Sequence, residues 1–198
     1  MHHTTLPSRG SEPVVVKIVI AGGFGAGKTT AVGAVSEITP LSTEEYLTQA
    51  SAGVDSLAGI EAKVTTTVAF DFGRLTLPDP PMPMELFLFG TPGQDRFGSL
   101  WHALSRGAVG AVVLVDTRRL EASFAAVDFF ERLGLPFVIA VNEFDGAHRY
   151  QPDQVRAALG LNLHVPVVTC DARTPAHVAG VLLTLIDHAM QPSTLQDA

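Results

Sequence analysis

Gly22-Gly23-Phe24-Gly25-Ala26-Gly27-Lys28-Thr29 is the stretch that decides the fold. It follows a β-branched apolar run, Val14 to Ala21, and leads into Thr29 to Ile38, where small and apolar residues return at helical spacing before Pro40. Strand, glycine loop and helix, in that order, form the setting in which G-x-x-x-x-G-K-[ST] binds phosphate. The glycines let the backbone curl so that successive N–H groups face phosphate oxygens, and the helix that follows adds its positive end. The pattern predicts a nucleotide phosphate site made of Gly22, Gly23, Phe24, Gly25, Ala26, Gly27, Lys28, Thr29 and Thr30. Lys28 is expected against the β and γ phosphates, and the Thr29 hydroxyl as a Mg2+ ligand.

Downstream, Val64 to Leu75 and Met84 to Phe89 read as neighbouring strands, joined by the Pro-rich Leu77 to Pro83 that cannot be a strand interior. Three strand-helix units follow: Ala108 to Asp116 with a helix through Leu133, Pro136 to Asn142 with a helix near Pro152 to Leu159, and Val165 to Thr169 with a helix over Pro175 to Met190. This alternation predicts an α/β fold, a mostly parallel six-stranded sheet with helices on both faces. One domain is expected over residues 14–190, between flexible tails at 1–13 and 191–198. The segment Thr39 to Lys63 exceeds an ordinary connection and reads either as a switch or partner surface, or as a helical excursion.

Composition narrows the function classes. A net charge of −7 without a basic run argues against a nucleic-acid surface, and 46% hydrophobic against 17% charged residues argues for a well-buried core. The longest apolar runs, Ala108 to Val115 and Leu135 to Val141, are too short to cross a bilayer, and the N-terminus carries no export signal, so a cytoplasmic protein without membrane insertion is expected. Cys170 stands alone, which leaves no disulfide and no thiolate metal cage, and the seven histidines lack metal-ligand spacing.

Four further segments fall in an order that resembles the Ras-like small GTPases. The similarity spans residues 14 to 190 and is greatest to the bacterial MglA-like branch, in particular the GTPases of actinobacterial conservon (Cvn) operons. Thr67-Val68-Ala69-Phe70-Asp71-Phe72-Gly73 looks like the switch I stretch, whose threonine, here Thr67, would meet Mg2+; Thr65 and Thr66 are its immediate rivals. Gly90-Thr91-Pro92-Gly93-Gln94 occupies the place of the D-x-x-G-Q switch II motif, so Gly93 would sense the γ phosphate and Gln94 would orient the attacking water. Gly90 departs from the family's Mg2+-holding Asp, which implies weaker metal binding resting on Thr29 and Thr67.

Asn142-Glu143-Phe144-Asp145 resembles the N-K-x-D base motif, with Asn142, Phe144 and Asp145 at the nucleotide. A carboxylate at Asp145 accepts from the guanine N1–H and 2-amino group, donors that adenine lacks. Glu143 stands where the family has Lys. Thr169-Cys170-Asp171-Ala172-Arg173 looks like the S-A-K loop, with the Ala172 amide at the guanine O6 and Arg173 beside it. Trp101 is expected to pack behind switch II.

The resemblance implies a three-layer P-loop NTPase fold and a GTP/GDP- and Mg2+-binding switch with Gln94, Lys28 and Gly93 at the reacting phosphate. Phe24 crowds that site, and of Arg96 and Arg74 neither reads as a catalytic arginine, so hydrolysis should be slow unaided. It also implies a roadblock/LC7-type partner and other conservon products, including a sensor-kinase-like membrane protein that could recruit the chain to the membrane. The rival readings are a non-hydrolysing nucleotide-binding adaptor and an ATP-dependent small-molecule kinase.

Overall fold

The computed structural model describes residues 13–47, 66–77, 83–93 and 98–191. Gln94, Arg96, most of the segment 39–63 and the tails at 1–12 and 192–198 lie outside the described residues. The strands are β1 (Val14–Gly22), β2 (Leu41–Leu47), β3 (Thr66–Leu77), β4 (Met84–Gly90), β5 (Gly110–Val115), β6 (Phe137–Asn142) and β7 (Val167–Cys170). The helices are α1 (Lys28–Val35), α2 (Gly98–Ser105), α3 (Phe124–Leu133), α4 (Pro152–Leu159) and α5 (Pro175–Met190), with a 3-10 segment at Thr117–Ser123 before α3.

One sheet runs in the order β2-β3-β4-β1-β5-β6-β7. Strands β4, β1, β5, β6 and β7 are parallel, and β2 and β3 add an antiparallel edge. The six expected strands are all present; the seventh, β2, comes from the segment that the sequence left open between a switch and a helix. Its residues Leu41-Ser-Thr-Glu-Glu-Tyr-Leu47 pair along β3 from Phe72 to Thr66, so an available sheet edge outweighs the weak helical preference of its two glutamates.

The parallel strands are apolar on both faces, and their alternation sorts the core into two halves. Ile18, Ile20, Val112, Leu114, Val138 and Ala140 face α1 and α5, where Val32, Val178, Leu182 and Leu185 cover them. Val19, Ala21, Val113, Ile139 and Val141 face the other way, under Trp101, Phe129, Phe130 and Val155 of α2, α3 and α4. Helices on both faces leave the carboxyl ends of the parallel strands open, which is where ligands sit in such sheets. No helix among the described residues is long and apolar enough to cross a membrane.

Candidate functional site

At the carboxyl end of β1 the chain turns through Gly22, whose φ of 134° suits glycine and whose added Cβ would stand 2.2 Å from the Leu114 carbonyl oxygen. Gly27 caps α1 with φ 103°, and a Cβ there would stand 2.6 Å from Asn142 Nδ2. Gly27 has no side chain with which to cap α1, so the cap residue leaves the first-turn N–H groups available to an anion. Thr30 lies exposed in that turn. Lys28, only 8% exposed, folds back and donates from Nζ to the carbonyls of Gly22 at 2.9 Å and Gly23 at 2.8 Å. Burial pulls its pKa down to about 8, against the opposing pull of the Asp71 carboxylate.

Gly90 is not simply a lost carboxylate. Asp71 of β3 is its register partner, and a Cβ on Gly90 would stand 3.2 Å from Asp71 Oδ2. The Thr29 hydroxyl donates to that same oxygen at 2.5 Å. The Asp71 carboxylate of the adjacent strand thus stands beside the end of β4, where that strand ends in glycine, and next to Thr29. Thr67 lies in β3 opposite Tyr46, and its side chain is outside the described residues. Hydroxyl and carboxylate beside a phosphate loop are the hard oxygen donors that suit Mg2+.

Gly93 passes directly over the phosphate loop. An added Cβ would stand 2.7 Å from Phe24 Cα and 2.8 Å from Lys28 Nζ. The Phe24 side chain turns outward, 69% exposed. Trp101 is buried as expected, edge-on to Phe129, and donates from its indole nitrogen to Pro92 O at 3.3 Å, which ties it to the chain just before Gly93.

At the end of β6, Asn142 is 6% exposed and bolts two loops together. It donates to Ala26 O at 3.0 Å and accepts from the Ala172 N–H at 3.0 Å. The Ala172 amide, expected at the guanine O6, is therefore engaged by Asn142 here. Asp145 is exposed at the rim, and both its oxygens are taken by Arg173, at 2.7 and 3.0 Å. The same guanidinium grips Asp171 at 2.9 and 2.8 Å, and it holds the carboxyl of Asp145 below the usual carboxylate range. Glu143 pairs with Arg149 instead of covering a base, and the half-buried Phe144 carries the Arg118 guanidinium 3.8 Å from its ring centre. Cys170 is buried, which pushes its thiol up to about 12, as befits a packing residue.

Two residues to which the sequence reading gave no role stand at the site. One is Asp71, whose signal was an acidic residue in a strand paired with one that ends in glycine. The other is Arg119, whose Nη2 donates to Phe24 O at 2.8 Å. Arg74 pairs with Glu85 at 3.3 Å.

A phosphate loop at the end of β1, a buried asparagine tying it to the last strand's loop, and a switch-like segment crossing it define a nucleotide-binding P-loop protein with a G-domain type of fold. The chain belongs to the family described as conserved hypothetical ATP binding proteins, whose profile matches residues 20–192. It is 29% identical over 132 residues to the uncharacterized protein MJ1339 of Methanocaldococcus jannaschii, covering 66% of this chain and 71% of that one. Its fold is similar to that of the G domain of the T. maritima FeoB iron transporter, with TM-score 0.63 and 17% identity over 89% of this chain and 99% of the other.

Proposed function

We propose that the chain is a GTP-binding switch with slow intrinsic hydrolysis. The observation that carries this reading is the base side: Asn142 joins phosphate loop to base loop, and the two oxygens of Asp145 already hold a planar group offering two adjacent N–H donors. Guanine presents the same kind of donor pair, and adenine does not. Lys28 and the start of α1 would hold the β and γ phosphates, and Thr29 with Asp71 would hold Mg2+, with Thr67 as the switch I ligand. Mg2+ there would offset phosphate charge. The Gly93 amide and Gln94 would act at the γ phosphate, the latter by orienting water, as the resemblance implies.

The MglA-like, conservon-type resemblance suggests signalling through a roadblock/LC7-type partner, with recruitment from the cytoplasm by a sensor-kinase-like membrane protein. The exposed Phe24 at the tip of the phosphate loop gives such a partner something apolar to cover. Calorimetric titration with GTP and ATP, repeated on Asp145→Ala, tests the base. Selective GTP binding abolished by the substitution is expected, and ATP binding indifferent to it would refute the guanine reading. Single-turnover hydrolysis should accelerate when a verified roadblock complex forms; an unchanged rate would favour the non-hydrolysing adaptor. The family's description as ATP binding supports an adenine reading as the second choice.

A further inference from the structure

We propose that Arg119 is a positioning residue that presets the Gly25 amide toward the nucleotide's terminal phosphates. Arg119 lies in the 3-10 segment after β5, at the point where the segment departs from helical geometry with φ −144° and ψ 56°. The segment is anchored by the buried Asp116, whose carbonyl accepts from Arg119 N–H at 2.9 Å and whose carboxylate is gripped by Arg118 at 2.9 and 2.8 Å. Asp116 lies 3.8 Å from the Arg119 guanidinium as well. From this footing Arg119 reaches the tip of the phosphate loop and donates to Phe24 O at 2.8 Å.

The consequence follows from peptide geometry. In a trans peptide the C=O and the next N–H point in opposite directions. With the Phe24 carbonyl drawn out to Arg119, the Gly25 N–H is turned the other way, and it makes no backbone bond among the described residues. The segment also backs the loop at Gly23 and Gly25: a Cβ on Gly23 would stand 2.7 Å from Ala122 Cβ, and one on Gly25 would stand 2.8 Å from Arg119 Nη2. The carbonyl is thereby satisfied by a cation on the outside while the amide stays unspent for an anion on the inside. A loop without Arg119 can flip that peptide, at the cost of one phosphate contact.

The test compares wild-type chain with Arg119→Ala and Arg119→Lys, using the diphosphate of whichever base the wild type prefers, so that the choice between GTP and ATP does not enter. Arg119→Ala is expected to weaken the diphosphate by roughly tenfold, the effect of one charge-assisted hydrogen bond. Arg119→Lys, which can still donate to Phe24 O, should recover most of the loss. Phosphorus NMR of the bound nucleotide should show the β resonance displaced in Arg119→Ala, with the α resonance in place. Unchanged affinity overturns the proposal, as does an affinity loss with both resonances at their wild-type positions. Failure of lysine to rescue would likewise overturn it.

Discussion

Lys28 should make nucleotide binding a proton-linked event. In the free protein its ammonium is buried against the Gly22 and Gly23 carbonyls, and its pKa falls from 10.5 to about 8. A base whose folded pKa is depressed binds fewer protons folded than unfolded between those two values, so the stability of the free protein should rise with pH from about 8 to about 10.5. Below that window the buried charge costs about 3 kcal/mol. A polyphosphate set against the ammonium favours the charged form and returns the pKa upward. Binding of nucleotide at pH 8.5 should therefore take up a fraction of a proton, and the uptake should fall as the pH is lowered below about 8. Calorimetric titration in two buffers of different ionisation enthalpy measures this directly. Asp71 opposes the depression, so Asp71→Asn should move the uptake curve to lower pH. Binding enthalpies at pH 8.5 that do not depend on the buffer, or proton release in place of uptake, would refute this account of the phosphate site.

Four other outcomes are expected. Asn142→Ala strands the buried Ala26 carbonyl and Ala172 amide, and should destabilise the free protein by about 3 kcal/mol, lowering Tm by about 10 °C in thermal unfolding. Asp71→Asn keeps an acceptor for the Thr29 hydroxyl but removes the charge, so the gain in nucleotide affinity on adding Mg2+ should shrink while metal-free affinity holds or improves; an unaltered Mg2+ response would count against Asp71 as a metal-side group. Arg173→Ala frees both oxygens of Asp145, and GDP should bind roughly fivefold more tightly by fluorescence titration, the size expected of displacing an exposed bidentate pair. Trp101, the sole tryptophan, should change its emission between GDP and a nonhydrolysable GTP analogue, because its indole is bonded to Pro92, next to the Gly93 that crosses the phosphate loop.

Local chemistry determined a great deal from the sequence alone. The phosphate loop, the order of strands and helices and the spacing of the base motif are contiguous signals: β-branched runs, helical periodicity and glycines at a turn each act over a few residues. Asn142 and Lys28 are legible as candidates because motif and context agree within one stretch of chain. Pairing between distant strands decided the rest. Gly90 read as a missing carboxylate because the sequence does not state that Asp71 lies across the ladder from it; register alone brings that oxygen to Thr29. Arg119 stands 95 residues from the Phe24 carbonyl that it holds, and Arg173 reaches Asp145 across 28, contacts made by side chains from separate loops that meet where the sheet ends. β2 exists because β3 offers it an edge, a preference that belongs to the sheet and not to Leu41–Leu47. What the sequence determined is therefore which groups are present and how each segment folds; which groups touch is a property of the assembled sheet, since tertiary contacts satisfy charges and amides that no local pattern pairs.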